Sequence, residues 1–296
     1  MTKYTEKEIV HLSAIDHIRK LPGHYIGGVD PESCFICFKE ILDNALDEAL
    51  AKHATNVNVW VSDDLLTARV SDDGRGIPFL VNESTGLSTL ASVFLFDRTS
   101  GKFDKEAYSD VSIGTHGVGA TATNAMSKKF RATSFRDKQV GEVYFENGQL
   151  IKQYDIRKQT KEEKKTRPQG TVVEFEIDFS LFDDITCLDF EKIRERLQVA
   201  AALSPGLNLT LEHKGKVEKF ENNGLKGLLG VDLHEADFEF PVDERGVTGT
   251  ARCHFGIALG DARSIAVVNL SKTPDGGSHV TGFESAVSDF LIERAK

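Results

Sequence analysis

Residues 40–50 of this 296-residue chain read EILDNALDEAL, and two further distinctive segments follow in order. These are SDDGRGIP at 71–78 and GTHGVGATATN at 114–124. In and just before the first segment, apolar residues recur at steps of three and four, which predicts the buried face of an amphipathic helix. The residues of this face are Phe38, Ile41, Leu42, Ala45, Leu46 and Ala49.

The same spacing places Glu40, Asn44 and either Asp47 or Glu48 on a second face of this helix. A carboxylate can accept a proton from an attacking water, and an amide oxygen is a ligand suited to Mg²⁺. Taken alone, such a face is more often a solvated polar surface. The helix therefore needs support from the other two segments before it indicates a site.

The second segment predicts a strand that ends at two acids. Alternating residues up to Val70 lead into Asp72 and Asp73, after which Gly74 and Gly76 permit a tight turn and close approach to a ligand. An acid at such a turn can accept a hydrogen bond from an exocyclic amine, such as that of adenine. The alternative is an ordinary Asp-Gly turn between two strands.

The third segment places three glycines, spaced GxxGxG, ahead of a predicted helix opening at Ala120. Glycines let successive backbone N–H groups converge on phosphate oxygens, and the start of a helix favours negative charge. The spacing matches neither the P-loop nor the dinucleotide-binding pattern, and a flexible loop is the alternative. In this order, the three segments predict a pocket that binds Mg-ATP and hydrolyses it.

With these three segments, the chain resembles the ATPase regions of type IIA DNA topoisomerases, which lie in the B subunits of gyrase and topoisomerase IV. They belong to the GHKL superfamily, with Hsp90, histidine kinases and MutL. DGRGIP is typical of this branch, and further segments resemble its motifs almost to the end of the chain. These segments are RKLPGHYIGG at 19–28, SGKFDKEAY at 100–108, QGTVVEFEID at 169–178 and TPDGGSHVTGF at 273–283.

The resemblance implies an α+β fold with a GHKL (Bergerat) ATP-binding sandwich, followed by the start of a ribosomal-protein-S5-like transducer domain. Residues 1–18 would form a dimerisation arm, residues 19–220 the ATPase domain and residues 221–296 the partial transducer domain. Within the arm, Tyr4 and Ile9 match positions that reach across to a partner protomer.

The resemblance also assigns roles. Glu40 would be the general base, Asn44 would ligate Mg²⁺, and Asp72 would bind the adenine amine while Asp73 supports the turn. Glu48 and Arg75 would form an ion pair at the mouth of the pocket. Further nucleotide-binding residues would be Gly76, Ile77, Pro78, Lys102, Tyr108, Gly114, His116, Gly117, Val118, Gly119 and Thr171, with Arg136 placed at the edge of the pocket by spacing alone.

Among these further residues, Tyr108, Ile77 and Pro78 would contact adenine. Thr171 would approach adenine through a water molecule. Lys102 and the amides of residues 116–119 would hold the phosphates.

Composition limits the partners. The net charge is −10 and the isoelectric point is near 5.4, which argues against a stand-alone DNA-binding protein. The segment RKQTKEEKKTR at 157–167 is the best candidate for DNA contact, with a solvated loop between strands as the alternative. Cys34 and Cys37 form a CxxC spacing without a second pair nearby, which favours buried thiols over a zinc site.

Neither a signal peptide nor a long apolar run is found, which predicts a cytoplasmic protein in a bacterium or a phage-infected host. The leading hypothesis is an ATP-dependent homodimeric gate that captures double-stranded DNA, while another subunit or domain cleaves DNA. The lysine that the family's transducer supplies to the γ-phosphate has no counterpart here, which suggests an engineered fragment or a split large subunit, such as some phages have. The alternatives are a nucleotide-dependent dimerisation module with little turnover, or another GHKL ATPase such as a MutL-like protein.

Periodicity and turn residues predict the remaining elements, including a hairpin at Asn147-Gly148. Strands are predicted near 57–61, 66–70, 129–135, 140–146, 150–155, 171–177, 246–258 and 264–270. Helices are predicted near 33–52, 87–95, 117–126, 189–203 and 278–295.

Overall fold

A computed structural model describes residues 13–83, 85–96, 117–244, 247–257, 265–268, 270–273 and 276–294. The chain forms two compact units. The first ends at Phe220, except that residues 198–205 group with the second unit, which continues from Glu221.

The first unit contains a mixed nine-stranded sheet. Its strands are β1 (Asn56–Val61), β2 (Thr67–Asp72), β3 (Ser127–Arg136), β4 (Gln139–Glu146), β5 (Gln149–Gln153), β6 (Arg157–Lys158), β7 (Gly170–Ile177), β8 (Asn208–His213) and β9 (Lys216–Phe220). The strand order is β5-β4-β3-β7-β2-β1-β8-β9, and β6 pairs with β4. The pairing of β1 with β8 is parallel, and the other pairings are antiparallel.

The two faces of this sheet differ in polarity because successive side chains of a strand point to opposite sides. One face is apolar and buried, and an aromatic cluster forms part of it. In this cluster Phe94 lies 4.9 Å from Phe130 and 6.2 Å from Phe145, measured between ring centroids. The other face is polar: the Arg69 guanidinium lies 4.6 Å from the ring centroid of Trp60 and 2.8 Å from a carboxylate oxygen of Glu174.

In the residues that the structure describes, seven α-helices precede β8. They are α1 (Ala14–Lys20), α2 (Gly23–Ile26), α3 (Pro31–Leu50), α4 (Thr89–Leu95), α5 (Gly119–Ala125), α6 (Lys161–Thr166) and α7 (Phe190–Ala202). The long helix α3 begins where the Asp30 side chain accepts a hydrogen bond from the Ser33 N–H, and Pro31 occupies its first position. Its predicted apolar residues are buried, apart from the half-buried Ala49.

Two long-range contacts fix α3. The hydroxyl of Thr123 in α5 donates to the Cys37 carbonyl at 3.0 Å. Asp43, which is buried, accepts from Arg196 of α7 at 2.6 Å and from Lys39 at 2.7 Å. Burial of this carboxylate is tolerated because both cations compensate its charge. The helix that carries Glu40 and Asn44 is therefore held on two sides.

Helix α1 overlaps the end of the predicted arm. Ile15 and Ile18 are buried, and Arg19 forms an ion pair with Asp178 at 2.6 Å. Residues 14–18 therefore belong to a helix packed into the first unit, and a dimerisation arm at residues 1–18 stays a prediction. Tyr4 and Ile9 lie outside the described residues.

The Asn147-Gly148 hairpin is confirmed. Both residues have positive φ, 50° and 78°, and they join β4 to β5. This combination is typical of the two-residue turn that matches the twist of paired strands.

Residues 157–167 form more regular structure than a loop. They contain β6 and α6, and α6 begins with a capping box between Thr160 and Glu163. Glu163 also pairs with Arg157 at 2.6 Å. The alternative of a loop between strands is therefore wrong, and contact with DNA stays a prediction.

The second unit contains a long antiparallel hairpin and two helices in the described residues. Its elements are α8 (Gly224–Leu229), β10 (His234–Glu244), β11 (Val247–Ile257), β12 (Val267–Val268), β13 (Ser271–Lys272) and α9 (Ser278–Arg294). The ring of Phe255 in β11 contacts Phe238 at 6.0 Å and Phe283 of α9 at 5.0 Å. Among the described residues of the strand predicted at 264–270, only the two of β12 form a strand, and β10 was not predicted.

Candidate nucleotide-binding site

Asp72 lies at the end of β2, with its side chain almost completely buried. Its Oδ1 accepts hydrogen bonds from the backbone N–H of Gly74 at 2.8 Å and of Thr171 at 3.3 Å. Burial raises the pKa of this carboxyl group to about 7, because removal from water disfavours the charged form. The charge of Glu48 acts in the same direction, whereas the two N–H donors and Arg167 oppose the rise.

The second carboxylate oxygen of Asp72, Oδ2, accepts no hydrogen bond from the described residues. Because the rest of the Asp72 side chain is buried, an N–H group that reaches Oδ2 would form a charge-assisted hydrogen bond there. The exocyclic amine of adenine is such a donor. The residues present therefore fit an adenine nucleotide at this end of the site.

Asp73 has a different environment. Its carboxylate accepts from the backbone N–H groups of Thr55 and Asn56, at 2.7 and 2.8 Å, and from both side chains. Burial acts to raise its pKa, but these hydrogen bonds outweigh that effect and lower the pKa below its usual value. Asp73 thus fixes the turn to β1, as the sequence indicated.

Two glycines allow close backbone approach around the end of β2. Gly76 has a φ of +72°, and a Cβ there would lie 2.6 Å from the Phe135 carbonyl oxygen. Gly170 has a φ of +120°, and a Cβ there would collide with the Asp72 carbonyl oxygen. Any other residue would strain the backbone and displace the start of β7 from the end of β2.

The segment after this turn is held by β3. The Ser134 hydroxyl donates to the Ile77 carbonyl at 2.6 Å, and Arg136 donates to the Gly76 carbonyl at 3.3 Å. Pro78 follows directly. Gly76, Ile77, Pro78 and Arg136 are thereby brought to the same edge of the sheet as Asp72.

Helical spacing left open whether Asp47 or Glu48 shares the face of Glu40, and the structure distinguishes between these two acids. Glu48 faces the turn and pairs with Arg75 at 2.7 Å, and it accepts from the Arg75 backbone N–H at 3.0 Å. Asp47 is buried within the body of the unit. The predicted pair of Glu48 and Arg75 is thus formed, while its role at the pocket mouth stays a prediction.

Glu40 and Asn44 project from α3 one turn apart, and Asn44 is exposed to solvent. The Glu40 carboxylate lies beside Gly119, the first residue of α5, where a Cβ would collide with it. Gly117 has a φ of +67°, and Val118 precedes the helix. The end of the glycine-rich segment therefore meets the helix face that carries Glu40.

Mg²⁺ fits this arrangement as a partly protein-bound ion. No group of three or more His, Cys, Asp or Glu residues in the described ranges could hold a metal by itself. The carboxamide oxygen of Asn44 is a hard oxygen ligand, and Mg²⁺ commonly takes its other ligands from phosphates and water. The site thus has the donor type needed for a nucleotide-bound ion.

Cys34 and Cys37 are free and buried. Burial raises the pKa of Cys34 to about 12 and that of Cys37 well above its usual value. Because zinc ligation requires thiolates, this environment disfavours a metal at the CxxC spacing.

Four predicted site residues, Lys102, Tyr108, Gly114 and His116, lie outside the described residues. Conversely, sequence reasoning missed Arg167, whose guanidinium donates to the Asp72 carbonyl at 3.1 Å. The only available signal was its position just ahead of the QGT segment, and the surrounding lysines concealed it. None of the helices in the described part of the chain combines the length and apolar character that crossing a bilayer requires.

Comparison with known proteins identifies the family of the chain. Residues 29–181 match the family described as histidine kinase-, DNA gyrase B-, and HSP90-like ATPase. The chain is 34% identical over 301 residues to the B subunit of DNA topoisomerase 4 from Mycoplasma capricolum, covering 99% of this chain and 45% of that protein. It is also 34% identical to the B subunit of DNA gyrase from Thermus thermophilus, covering 99% of this chain and 46% of that protein. The chain thus spans less than half the length of these relatives.

A solved structure gives the same result for the fold. The 43K ATPase domain of Thermus thermophilus gyrase B, in complex with an aminocoumarin, superposes with a TM-score of 0.71 at 29% identity. The match covers 96% of this chain and 74% of that one. The α+β GHKL fold is therefore confirmed, and relatives of this kind leave no support for the MutL-like alternative. The chain belongs to the family of histidine kinase-, DNA gyrase B- and HSP90-like ATPases, as the ATPase region of a type IIA topoisomerase of the gyrase B kind.

Proposed function

We propose that this chain binds Mg-ATP between α3, α5 and the end of β2, and that hydrolysis there drives an ATP-operated gate for DNA. The observation that carries the proposal is the position of two acids in one unit. Asp72 is buried and keeps one oxygen without a donor among the described residues, and Glu40 is half-buried beside the start of α5. Such a pair can recognise the base at one end and act on the phosphates at the other.

At the adenine end, Asp72 accepts the exocyclic amine through Oδ2. Ile77 and Pro78 pack against the base, and Thr171 reaches it through a water molecule. Thr171 already donates its N–H to Asp72 Oδ1, which aligns the carboxylate before the nucleotide arrives. Tyr108 adds a contact to the base.

At the phosphate end, Glu40 accepts a proton from the water that attacks the γ-phosphate. Asn44 holds Mg²⁺, which when bound neutralises phosphate charge and orients the phosphates. The amides of Gly117, Val118 and Gly119 donate to phosphate oxygens, because glycines leave these N–H groups accessible at the start of α5. Gly114, His116 and Lys102 complete this end, and the ion pair of Glu48 and Arg75 forms the mouth of the pocket.

Membership of the family supports a larger assembly. ATP binding would close two copies of the chain around a double-stranded DNA segment, with the residues before α1 exchanged between them. A DNA-cleaving subunit or domain would act on the other duplex, in the cytoplasm of a bacterium or a phage-infected cell. Residues 19–220 would form the ATPase domain, and residues from 221 the beginning of the transducer domain.

The first test is calorimetric titration of a non-hydrolysable ATP analogue with Mg²⁺ into wild type and Asp72→Asn. Wild type is expected to bind and Asp72→Asn to bind more weakly, whereas Asp155→Asn, an exposed acid, should match wild type. Equal affinity of Asp72→Asn and wild type would contradict the proposed adenine contact.

Steady-state ATP hydrolysis separates the two candidate activities. Turnover that is abolished in Glu40→Ala supports the enzyme. Tight binding with turnover no higher than in Glu40→Ala would instead favour a nucleotide-dependent dimerisation module.

A further inference from the structure

We propose that Arg167 is a positioning residue for nucleotide binding, which orients Asp72 toward the base by holding the end of β2 with its guanidinium. The inference rests on the proposed function, in which Asp72 accepts the adenine amine. Arg167 itself is not expected to contact the nucleotide.

The end of β2 needs such a partner because its ladder with β7 stops early. The last pair in the register joins Ser71 to Val172, so the carbonyl of Asp72 has no ladder partner on that side. Buried carbonyl groups are nearly always hydrogen-bonded. Arg167 supplies the donor through Nη1 at 3.1 Å, and its Nη2 donates to the Ser71 hydroxyl at 3.2 Å.

The contact extends to the neighbouring strand. The Ser71 hydroxyl donates in turn to the Asn58 carbonyl of β1 at 3.4 Å. Arg167 thus connects β2 and β1 at the point where Asp72 leaves the sheet. A shift of either strand would move the carboxylate.

The position of Arg167 is itself fixed by neighbouring residues. The buried side-chain amide of Gln159 donates to the carbonyls of Arg167 and Pro168, at 3.0 and 3.1 Å. The guanidinium carbon lies 6.0 Å from the ring centroid of Phe135. An arginine anchored in this way loses little additional freedom when it binds a carbonyl.

The charge of Arg167 matters as well as its hydrogen bonds. From α3, Glu48 raises the pKa of Asp72, and Arg75 of the turn is engaged by that glutamate. From the segment before β7, Arg167 lowers the pKa of Asp72. The carboxylate of Asp73, the next residue in the chain, accepts four hydrogen bonds from Thr55 and Asn56.

Burial lowers the pKa of Arg167 itself, while Asp72 and Asp73 raise it and Arg69 lowers it. A partly buried guanidinium of this kind is stabilised by the carboxylates near it. The neutral amide of glutamine could replace a hydrogen bond but not this charge.

The test compares Arg167→Gln, Arg167→Lys and wild type by titration with the Mg-bound non-hydrolysable ATP analogue, from about pH 6 to about pH 9. Wild-type affinity should rise with pH as Asp72 ionises. Arg167→Gln should shift this midpoint upward by about one unit, which gives about fivefold weaker binding at pH 7 and convergence at high pH. Arg167→Lys should keep the midpoint close to that of wild type.

Arg157→Gln is the matched control, because it removes an arginine of the same segment that pairs with Glu163 instead. No loss of affinity in Arg167→Gln, or a loss that Arg157→Gln shares, would overturn the positioning role, whereas a loss specific to Arg167→Gln and equal at every pH would support positioning through the hydrogen bonds alone. Convergence at high pH also shows that the variant is folded.

Asp72→Asn in the same series separates the two proposals. If Asp72→Asn binds weakly while Arg167→Gln follows wild type, only the role of Arg167 fails. If Asp72→Asn binds as wild type does, the adenine contact fails, and the inference about Arg167 with it.

Discussion

The two ends of the nucleotide site are built differently. At the adenine end, Asp72 is a buried acid at the end of a strand, with backbone N–H groups of Gly74 and Thr171 fixing one oxygen. At the phosphate end, Glu40 and Asn44 are side chains of one helix face, the first half-buried and the second exposed.

The difference corresponds to two tasks. Recognition of a base requires a fixed acceptor with little water around it, and a strand end in the interior of a sheet provides this. Proton transfer and metal binding require groups that water and Mg²⁺ can reach, and a helix presents two such groups one turn apart. Substitutions at the first end should therefore change affinity, and substitutions at the second should change turnover.

The largest expected effect is that of Glu40→Ala. Removal of the general base should lower ATP turnover by about a hundredfold to ten-thousandfold, with analogue affinity almost unchanged. Steady-state hydrolysis and calorimetry on the same preparation measure the two quantities. Glu40→Gln should behave alike, and loss of binding in both variants would assign Glu40 to recognition instead.

The second largest effect is expected for Gly170→Ala. The positive φ and the collision with the Asp72 carbonyl should destabilise the first unit by about 2 to 4 kcal/mol and weaken nucleotide binding. Thermal unfolding, with and without nucleotide, measures this. Gly215→Ala is the control: its φ is also positive, at +69°, but no atom lies within 4 Å of the added Cβ, so only backbone strain of about 1 kcal/mol is expected. Equal destabilisation of both variants would mean that close approach to Asp72 is unimportant.

Asp72→Asn should weaken analogue binding and yet stabilise the free protein. The folded pKa of about 7 lies above the usual value of 3.8, so the folded state binds the proton more tightly than the unfolded state. Stability is therefore lost as pH rises from about 4 to about 7. The asparagine variant lacks this loss, and its free energy of unfolding at pH 8 should exceed that of wild type by about 1 to 3 kcal/mol.

Urea unfolding at pH 8 and at pH 4 tests the stability of Asp72→Asn. The advantage of the variant should vanish at the lower pH, where wild-type Asp72 is protonated in the folded state. A constant difference between the two proteins would indicate a packing effect unrelated to ionisation.

Glu48→Gln should have the smallest effect. The pair with Arg75 is partly exposed, so its loss should cost no more than about 1 kcal/mol of stability. Because Glu48 raises the pKa of Asp72, its neutralisation should move the pH midpoint of nucleotide binding downward. This direction is opposite to that expected for Arg167→Gln, and a shift in the same direction for both would exclude an electrostatic cause.

Local patterns predicted much of the fold and of this site. The apolar periodicity of α3, the strand that ends at Asp72, and the Asn147-Gly148 turn depend on neighbouring residues, so they can be recognised in the sequence. Spacing could not choose between Asp47 and Glu48, because adjacent helix positions both lie near the face of Glu40. Only the packing of α3 against the rest of the unit distinguishes them.

Other features depend on partners far along the chain. Strand β8, NLTLEH, has only two apolar residues, Leu209 and Leu211, and it pairs in parallel with β1. Helix α1 was assigned to an arm because its two buried isoleucines find their packing only in the folded unit. Arg167 was one of many cations in its segment, and only the early end of the β2–β7 ladder shows why it turns inward.

The polar face of the sheet gives this protein a built-in optical probe. Trp60 is the single tryptophan of the chain, and it lies on β1 beside Arg69 of β2, three residues before Asp72. Its fluorescence therefore reports on the centre of the sheet without a contribution from any other indole. Strand separation exposes the ring to water and removes the guanidinium from its face, so unfolding and movement of β2 can both be followed in the unlabelled protein.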